Sequence, residues 1–360
     1  MPGSEFPNSL DTVLADMLSH ARMEPGGCLR FLPFILKTDA DHLFERLNRG
    51  RFRAEHAAAG HFHLLRISKY PKLEDGANEE AMVSGDFVLF RVSERIWCLA
   101  SPERAHIFYG CALAAIQNNS RIASQIYIPN REYHNIFDHI AKNDTNVTIL
   151  QHSEYNRLES TQTSLKKRRD YKSVLAEIYT KNSVIRRVRA TAQRKNEPPV
   201  IVFSLSNNGV MAISDGSLSF FKDVILNDVG RIGVIRDILF SNKEREKLNL
   251  HPLRLSFEED VLAHKSQNAE FIRALTSLGQ SAVAVFHANP YLHCLYTDFR
   301  DGSSFNVFAS SPSTVDVVPS IRASVSSLTK LYRGISEKFA DCEISEIKDA
   351  PPTIDEFFGI

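Results

Sequence analysis

Residues 86–150, DFVLFRVSERIWCLASPERAHIFYGCALAAIQNNSRIASQIYIPNREYHNIFDHIAKNDTNVTIL, alternate apolar runs with helix-start signals. Asp86–Val92 and Ile96–Ala100 predict two strands. Ser101-Pro102-Glu103 predicts a helix start, because Ser accepts free N–H groups and Pro is pre-set for the first turn. That helix runs to about Asn118. Ile122–Ile128 predicts a third strand, Pro129-Asn130 opens a second helix to about Lys142, and Val147–Leu150 predicts a fourth strand. The order ββαβαβ implies an open sheet covered by helices on at least one face, and hence a mixed α/β fold.

Upstream, the spacing predicts an amphipathic helix over Leu10–Ala21, an apolar run from Cys28 to Leu36, a helix over Asp39–Asn48 and a strand over His61–Ser68. Downstream, Val200–Leu205 and Val210–Ile213 form a predicted hairpin around Asn207-Asn208-Gly209. A short helix over Leu218–Leu226 and a strand over Ile232–Ile235 follow. Ser256, with Glu259 three residues later, reads as a capping box opening a helix to Leu278. Strands over Ala282–His287, Tyr291–Phe299 and Phe305–Ala309, a helix over Ile321–Phe339 and a strand over Glu343–Ile347 complete the expectation. Two α/β domains with mixed sheets result, over residues 7–160 and 200–349. A basic helix or linker at 161–199 joins them, and a partner-binding tail occupies 350–360. Met1–Phe6 (MPGSEF) reads as a cloning remnant.

The 360 residues are 43% apolar and 24% charged, which excludes global disorder. The formal net charge is zero, so any electrostatic role depends on how charge is segregated along the chain. No apolar run reaches the roughly 18 residues a spanning helix needs, and no basic region precedes an apolar core at the N-terminus. No membrane association is expected. The five cysteines are scattered without a CxxC spacing, which points to a reducing, cytoplasmic setting.

Charge is segregated in one place. Tyr171, Val174, Leu175 and Ile178 fall at i, i+3, i+4 and i+7, and Ile185, Val188 and Ala192 resume the stripe. The spacing predicts one long amphipathic helix ended by Pro198-Pro199. Over 165–197, eleven Lys and Arg stand against three acidic residues. Lys166, Lys167, Arg168, Arg169, Arg186, Arg187, Arg189 and Arg194 are the candidate nucleic-acid contacts, since phosphate neutralisation needs several cations on one surface. The alternative is a solvated helix face whose cations pair with acidic neighbours.

The second half offers carboxylates. Asp215 ends a predicted strand, Asp298 lies on or near another, and Glu258, Glu259 and Asp260 stand beside a helix start. Two-metal phosphoryl chemistry needs such groups to converge on ions roughly 4 Å apart. The alternative is that Asp215-Gly216 and Asp301-Gly302 are turns and the Glu258–Asp260 cluster complements a helix N-terminus. AISDGSL (residues 212–218), followed by VGRIGVIRDI, resembles the second acidic motif of the NurA nucleases, and AVAVFHANPYLHCLYTDF (282–299) is similar to their late strands. The resemblance covers about residues 200–300 and implies a ribonuclease H-like second domain. It implies that Asp215 is a metal ligand and that His287 or His293 assists as a base; on the carboxylate reading Asp298 and Glu259 join Asp215 around Mg2+ or Mn2+. The family's first Asp-Gly-Ser strand has no counterpart upstream, where Glu154 is the one acidic residue in the corresponding run.

His56, His61 and His63 give an H-x4-H-x-H spacing, with His61 and His63 on one predicted strand face, where core or surface histidines are the commoner case. In the tail, Ile354, Phe357 and Phe358 fall at i, i+3 and i+4 behind Pro351-Pro352. That turn resembles the PCNA-interacting peptide box of archaeal and eukaryotic replication and repair proteins, and implies a sliding clamp as partner. The alternative is a tail folded onto its own domain. The sequence therefore leads to a DNA-processing or DNA-binding accessory protein with a nuclease-like domain, its nucleic-acid partner being DNA. The rival is a non-enzymatic interaction subunit of a larger assembly.

Overall fold

The computed structural model describes residues 9–70, 82–142, 145–194, 197–241, 252–288, 291–320 and 323–347. Met1–Phe6 and the tail residues Ile354, Phe357 and Phe358 lie outside them. The chain divides into two units after Val234.

The first unit contains α1 (Leu10–Arg22), β1 (Leu29–Leu36), α2 (Ala40–Leu47), β2 (Phe52–Ala59), β3 (Phe62–Lys69), β4 (Val83–Arg91) and β5 (Ile96–Ser101). It continues with α3 (Ala105–Phe108), α4 (Ala114–Asn118), β6 (Ala123–Gln125), α5 (Asn130–Lys142), β7 (Asn146–Asn156), β8 (Thr161–Leu165) and β9 (Arg169–Asp170). Then come α6 (Tyr171–Thr180), β10 (Ser183–Gln193), β11 (Pro199–Ser206), β12 (Met211–Gly216), α7 (Leu218–Phe220) and α8 (Asn227–Ser241), the last of which runs past the division. Among the described residues the strands form one twelve-stranded sheet in the order β2-β3-β4-β5-β1-β12-β11-β10-β7-β8, with β6 on β1 and β9 on β7.

The mixed α/β class is as expected, but the described pairings are antiparallel in both units rather than mixed. Turns as short as Gly60-His61 between β2 and β3 can join only antiparallel neighbours. The helices between strands are not crossovers here. Instead they cover the sheet on opposite faces in its two halves. Around β1–β5, Leu32, Phe34 and Leu36 pack into one core with Leu43 and Phe44 of α2 and with Phe108, Cys111 and Ile116 from the helical segment 105–118. Around β7–β12 the other face is covered. There Phe137 of α5 contacts Phe203, the Tyr133 hydroxyl donates to the Leu205 carbonyl, and Phe31 meets Phe221.

The expected boundary at residue 200 falls inside the first unit, because β11 and β12 complete the large sheet between β10 and β1. The expected long basic helix is two elements. The stripe Tyr171, Val174, Leu175 and Ile178 is buried on α6, which Asp170 caps by accepting from the Ser173 N–H. The helix stops at Asn182, whose φ of 49° reverses the chain. Residues 187–190 then alternate, with Val188 and Ala190 inward and Arg187 and Arg189 outward. Val184, Ile185, Val188 and Thr191 supply the β-branched content that favours a strand.

The second unit, from Ile235, contains β13 (Leu253–Phe257), α9 (Lys265–Thr276), β14 (Ser281–His287), β15 (His293–Asp298), β16 (Ser303–Ser311), β17 (Thr314–Pro319), α10 (Val325–Lys338) and β18 (Cys342–Glu346). Its sheet runs β14-β15-β16-β17-β13-β18, and α9 and α10 pack Phe271, Leu275, Leu328 and Leu331 into its core. Two expectations fail locally. Ile232–Ile235 is helical within α8, and Ser256 lies on β13, paired opposite Thr314 and Glu343. The helix expected from Ser256 begins at Lys265, where Gln267 Oε1 accepts from the His264 N–H at 2.8 Å.

Gly216 shows why AISDGSL needs its glycine in this fold. Its φ is 97°, and a Cβ there would sit 2.1 Å from the Val200 carbonyl oxygen on β11. Gly216→Ala is expected to cost about 2 kcal/mol or more in urea unfolding, while Ser214→Ala, two residues earlier, changes little.

Candidate anion-binding face

On one face of the large sheet the helical layer over β1–β5 gives out, and a row of polar side chains crosses the bare strands. Direct cross-strand partners share a face in an antiparallel sheet. Register therefore places Gln151 of β7, Arg189 of β10, Ser204 of β11, Ala212 of β12 and Arg30 of β1 in one row. A second row runs from Ser164 of β8 through Ser153 of β7 to Arg187 of β10. These residues and Ser214 line a cavity of about 340 Å3. The row from Arg189 to Arg30 spans three strand spacings, about 14 Å.

Among the described residues no carboxylate lines this cavity. The Arg187 guanidinium donates to Ser204 Oγ at 3.2 Å, and Arg30 donates to the backbone carbonyls of Cys28 and Glu103. Arg189 is exposed and has no ion-pair partner among the described residues. Gln151 Nε2 meets Ser164 Oγ at 3.3 Å, which joins β8 to the face. Directly after β8, Lys166, Lys167 and Arg168 are exposed. Three guanidinium groups held on strands, with hydroxyls between them, can bind an anion or a series of phosphates.

The other basic candidates have different surroundings. Arg186 stacks over the Tyr155 ring at 5.1 Å, Arg169 is ion-paired with Glu177, and Arg194 is exposed beyond the end of β10. Sequence reading missed Arg30, Gln151, Ser153, Ser164, Ser204 and Ser214. Arg30 did carry a signal, as the lone charge inside the apolar run LRFLPFIL.

The acidic candidates fall in two different units. Asp215 belongs to the first unit, is 71% exposed, pairs with Arg22 at 3.0 Å and accepts from the Gly216 N–H. Asp298, Glu259 and His287 belong to the second unit. Asp298 and His287 mark opposite ends of the β14–β15 ladder, five residue steps or about 17 Å apart. Glu259 is exposed in the turn after β13. Among the described residues no group of three or more His, Cys, Asp or Glu comes together as a metal site. The histidine expectation is also rearranged. His61 sits in the β2–β3 turn, whereas His56 and His63 lie 6.2 Å apart around Phe44.

Asp298 instead ties β15 to α10. It is fully buried, receives Arg300 at 2.7 Å and Lys330 at 3.2 Å, and accepts from Ser327 Oγ at 3.1 Å. Ser327 also donates to Asp301, which the α10 cap Ser324 contacts as well. Burial pushes the Asp298 carboxyl up, but the hydrogen bonds and charge of Arg300, with Lys330, outweigh it and hold the pKa below the usual aspartate value. On β7, Glu154 and His152 are both buried, 3.8 Å apart, with Lys181 3.8 Å from the carboxylate. Burial lowers the His152 pKa, and Arg169 and Lys181 add to this against the pull of Glu154 and Glu177.

No family model matches the chain, and no curated protein matches it. Among the described residues no helix is long and apolar enough to cross a membrane.

Asp298→Ala leaves Arg300 and Lys330 without their buried partner and is expected to cost about 3–5 kcal/mol, measured by urea unfolding of the full chain. The Asp298 contribution is present above the unfolded aspartate pKa of about 3.9 and is lost as pH falls through the lower folded value. His152 acts in a higher window. Its lowered folded pKa means that stability, full above the unfolded value of about 6.5, declines as pH falls from there toward the folded value. His152→Gln should flatten that part of the stability profile.

Proposed function

We propose that this protein binds nucleic acid along its phosphate backbone, across the β7–β10–β11–β12–β1 face, as a DNA-processing or DNA-binding accessory protein. The observation carrying this reading is the convergence of Arg30, Arg187 and Arg189 on one open sheet face without a carboxylate in the lining. Serine hydroxyls between the guanidiniums suit phosphate and sugar oxygens. Base readout is not part of the proposal, because Phe203, the one aromatic in the lining, is buried and offers no stacking surface. A cytoplasmic setting accords with five buried cysteines, all of them free thiols.

The nuclease arm of the expectation rests on the resemblance over residues 200–300, a span that the division after Val234 cuts in two. With Asp215 and Asp298 each engaged by arginine, binding rather than cleavage is the activity we propose. The clamp-binding arm rests on Ile354, Phe357 and Phe358. The cavity volume supports a second reading, since about 340 Å3 also suits a single organic phosphate.

Anisotropy titrations of labelled DNA against salt test the proposal. Each phosphate contact contributes about 0.9 to the slope of log affinity against log salt, so Arg187→Glu with Arg189→Glu should weaken binding and flatten the slope by about 2. Lys172→Glu, on α6 across the sheet, should leave both unchanged. A wild-type protein that ignores DNA at low salt but saturates with a nucleotide would select the second reading.

A further inference from the structure

β14 is the outermost strand of the second unit's sheet, and among the described residues nothing pairs with its free edge. Edge strands of stable proteins are ordinarily blunted by Lys, Pro or inward charge, because their unpaired N–H and C=O groups template further pairing. Residues 281–287, SAVAVFH, contain no Lys, Arg, Asp, Glu or Pro. Most of the strand is exposed, including Val285, and Phe286 is 60% exposed. The sole irregularity is a bulge between Val285 and His287, which leaves Ser281–Val285 in regular register with β15.

We propose that this edge pairs with itself, joining two copies of the chain antiparallel about a two-fold axis into a continuous twelve-stranded sheet. The sequence of the regular stretch is symmetric for this purpose. With the axis at Val283, the two valines face each other and Ala282 of each copy faces Ala284 of the other, so no like charges meet and no large side chains collide. An isologous interface requires such self-complementarity.

The exposed rings support the same axis. Phe286 lies at one end of β14, in a ladder with His293 and Phe308 at ring separations of 4.8 and 4.2 Å. Phe299, 65% exposed, lies at the other end, where its N–H donates to the Gln280 carbonyl. Antiparallel pairing about Val283 brings the Phe286 end of one copy's strand to the Phe299 end of the second's. Exposed phenylalanines of both kinds then gather at each end of the paired strands, twice per dimer. A second copy fits better than nucleic acid here, because this strand carries no cation to meet phosphate.

Sedimentation velocity of the full chain tests the pairing. Wild-type protein is expected to shift from monomer to dimer with increasing concentration. Two double variants, Ala282→Lys with Ala284→Lys and Ala282→Glu with Ala284→Glu, place like charges opposite each other and should each remain monomeric. Both alanines are exposed, so the melting temperature should hold. A one-to-one mixture of the two variants should restore the dimer, which a merely misfolded variant could not do. Amide hydrogen exchange of residues 281–285 should slow as wild-type concentration rises. A wild-type monomer at every concentration, a dimer that survives the lysine variant, or a mixture that stays monomeric would each overturn the proposal.

Discussion

β1 is hydrogen-bonded along one edge to β5 and along the other to β12 and then β6, so both halves of the large sheet meet on its backbone. Its two faces must satisfy two different helical layers. Leu32, Phe34 and Leu36 point into the core under α2 and residues 105–118, while Leu29 and Phe31 belong to the opposite face with Phe221. This double burial explains why the run reads as almost continuously apolar rather than alternating. It also explains Arg30. Arg30 shares its face with Leu32 but lies one step beyond the helical cover, where a charged head can reach water and an apolar residue would be left bare.

The phosphate-binding reading follows from that geometry. Two helical layers on opposite faces of one long sheet must leave each face uncovered somewhere. On the face that β10 shares with Arg30, the uncovered part falls where the alternation of residues 187–189 projects arginines. A concave, rigid, strand-borne array differs from a basic helix in one respect that matters for binding. Its side chains start from fixed positions on a hydrogen-bonded ladder, so less ordering is needed when an anion arrives.

Much of the fold was legible because local signals and burial agreed. Residues 86–150 contain strands bounded by turns, although the helix expected from Ser101-Pro102-Glu103 begins only at Ala105, with Ser101 on β5 accepting the Glu103 N–H. α6 was legible for the same reason. Residues 183–193 were not, since Ile185, Val188 and Ala192 fit a helical spacing as well as Val188, Ala190 and Ala192 fit a strand spacing. Only pairing with β7 and β11 decides between them, and that partner information is not local. The candidate site suffered accordingly. Arg187 and Arg189 were identified as cations, but the residues that accompany them come from β1, β7, β8, β11 and β12, far apart in the chain. The acidic candidates show the limit of local sequence, because an Asp at a strand end also serves turn geometry, as at Asp215, or a buried ion pair, as at Asp298, with the same local sequence that a metal ligand would show.

The bulge near the start of β10 has a consequence for how this chain can change over time. Arg186 is the extra residue between the Ile185–Glu154 and Arg187–Ser153 pairs, and Asn130 holds the strand on the near side of it. The Asn130 amide donates to the Ser183 carbonyl and its oxygen accepts from the Ile185 N–H, so a side chain from α5 stands in for a neighbouring strand. An insertion or deletion within Arg187–Gln193 would exchange the inner and outer sets of side chains, pressing arginine into the core and valine into water. One placed before Ser183 would be absorbed in the turn. Length variation among descendants of this sequence should therefore gather at the α6–β10 turn, while the seven residues from Arg187 to Gln193 keep their number even where their identities drift.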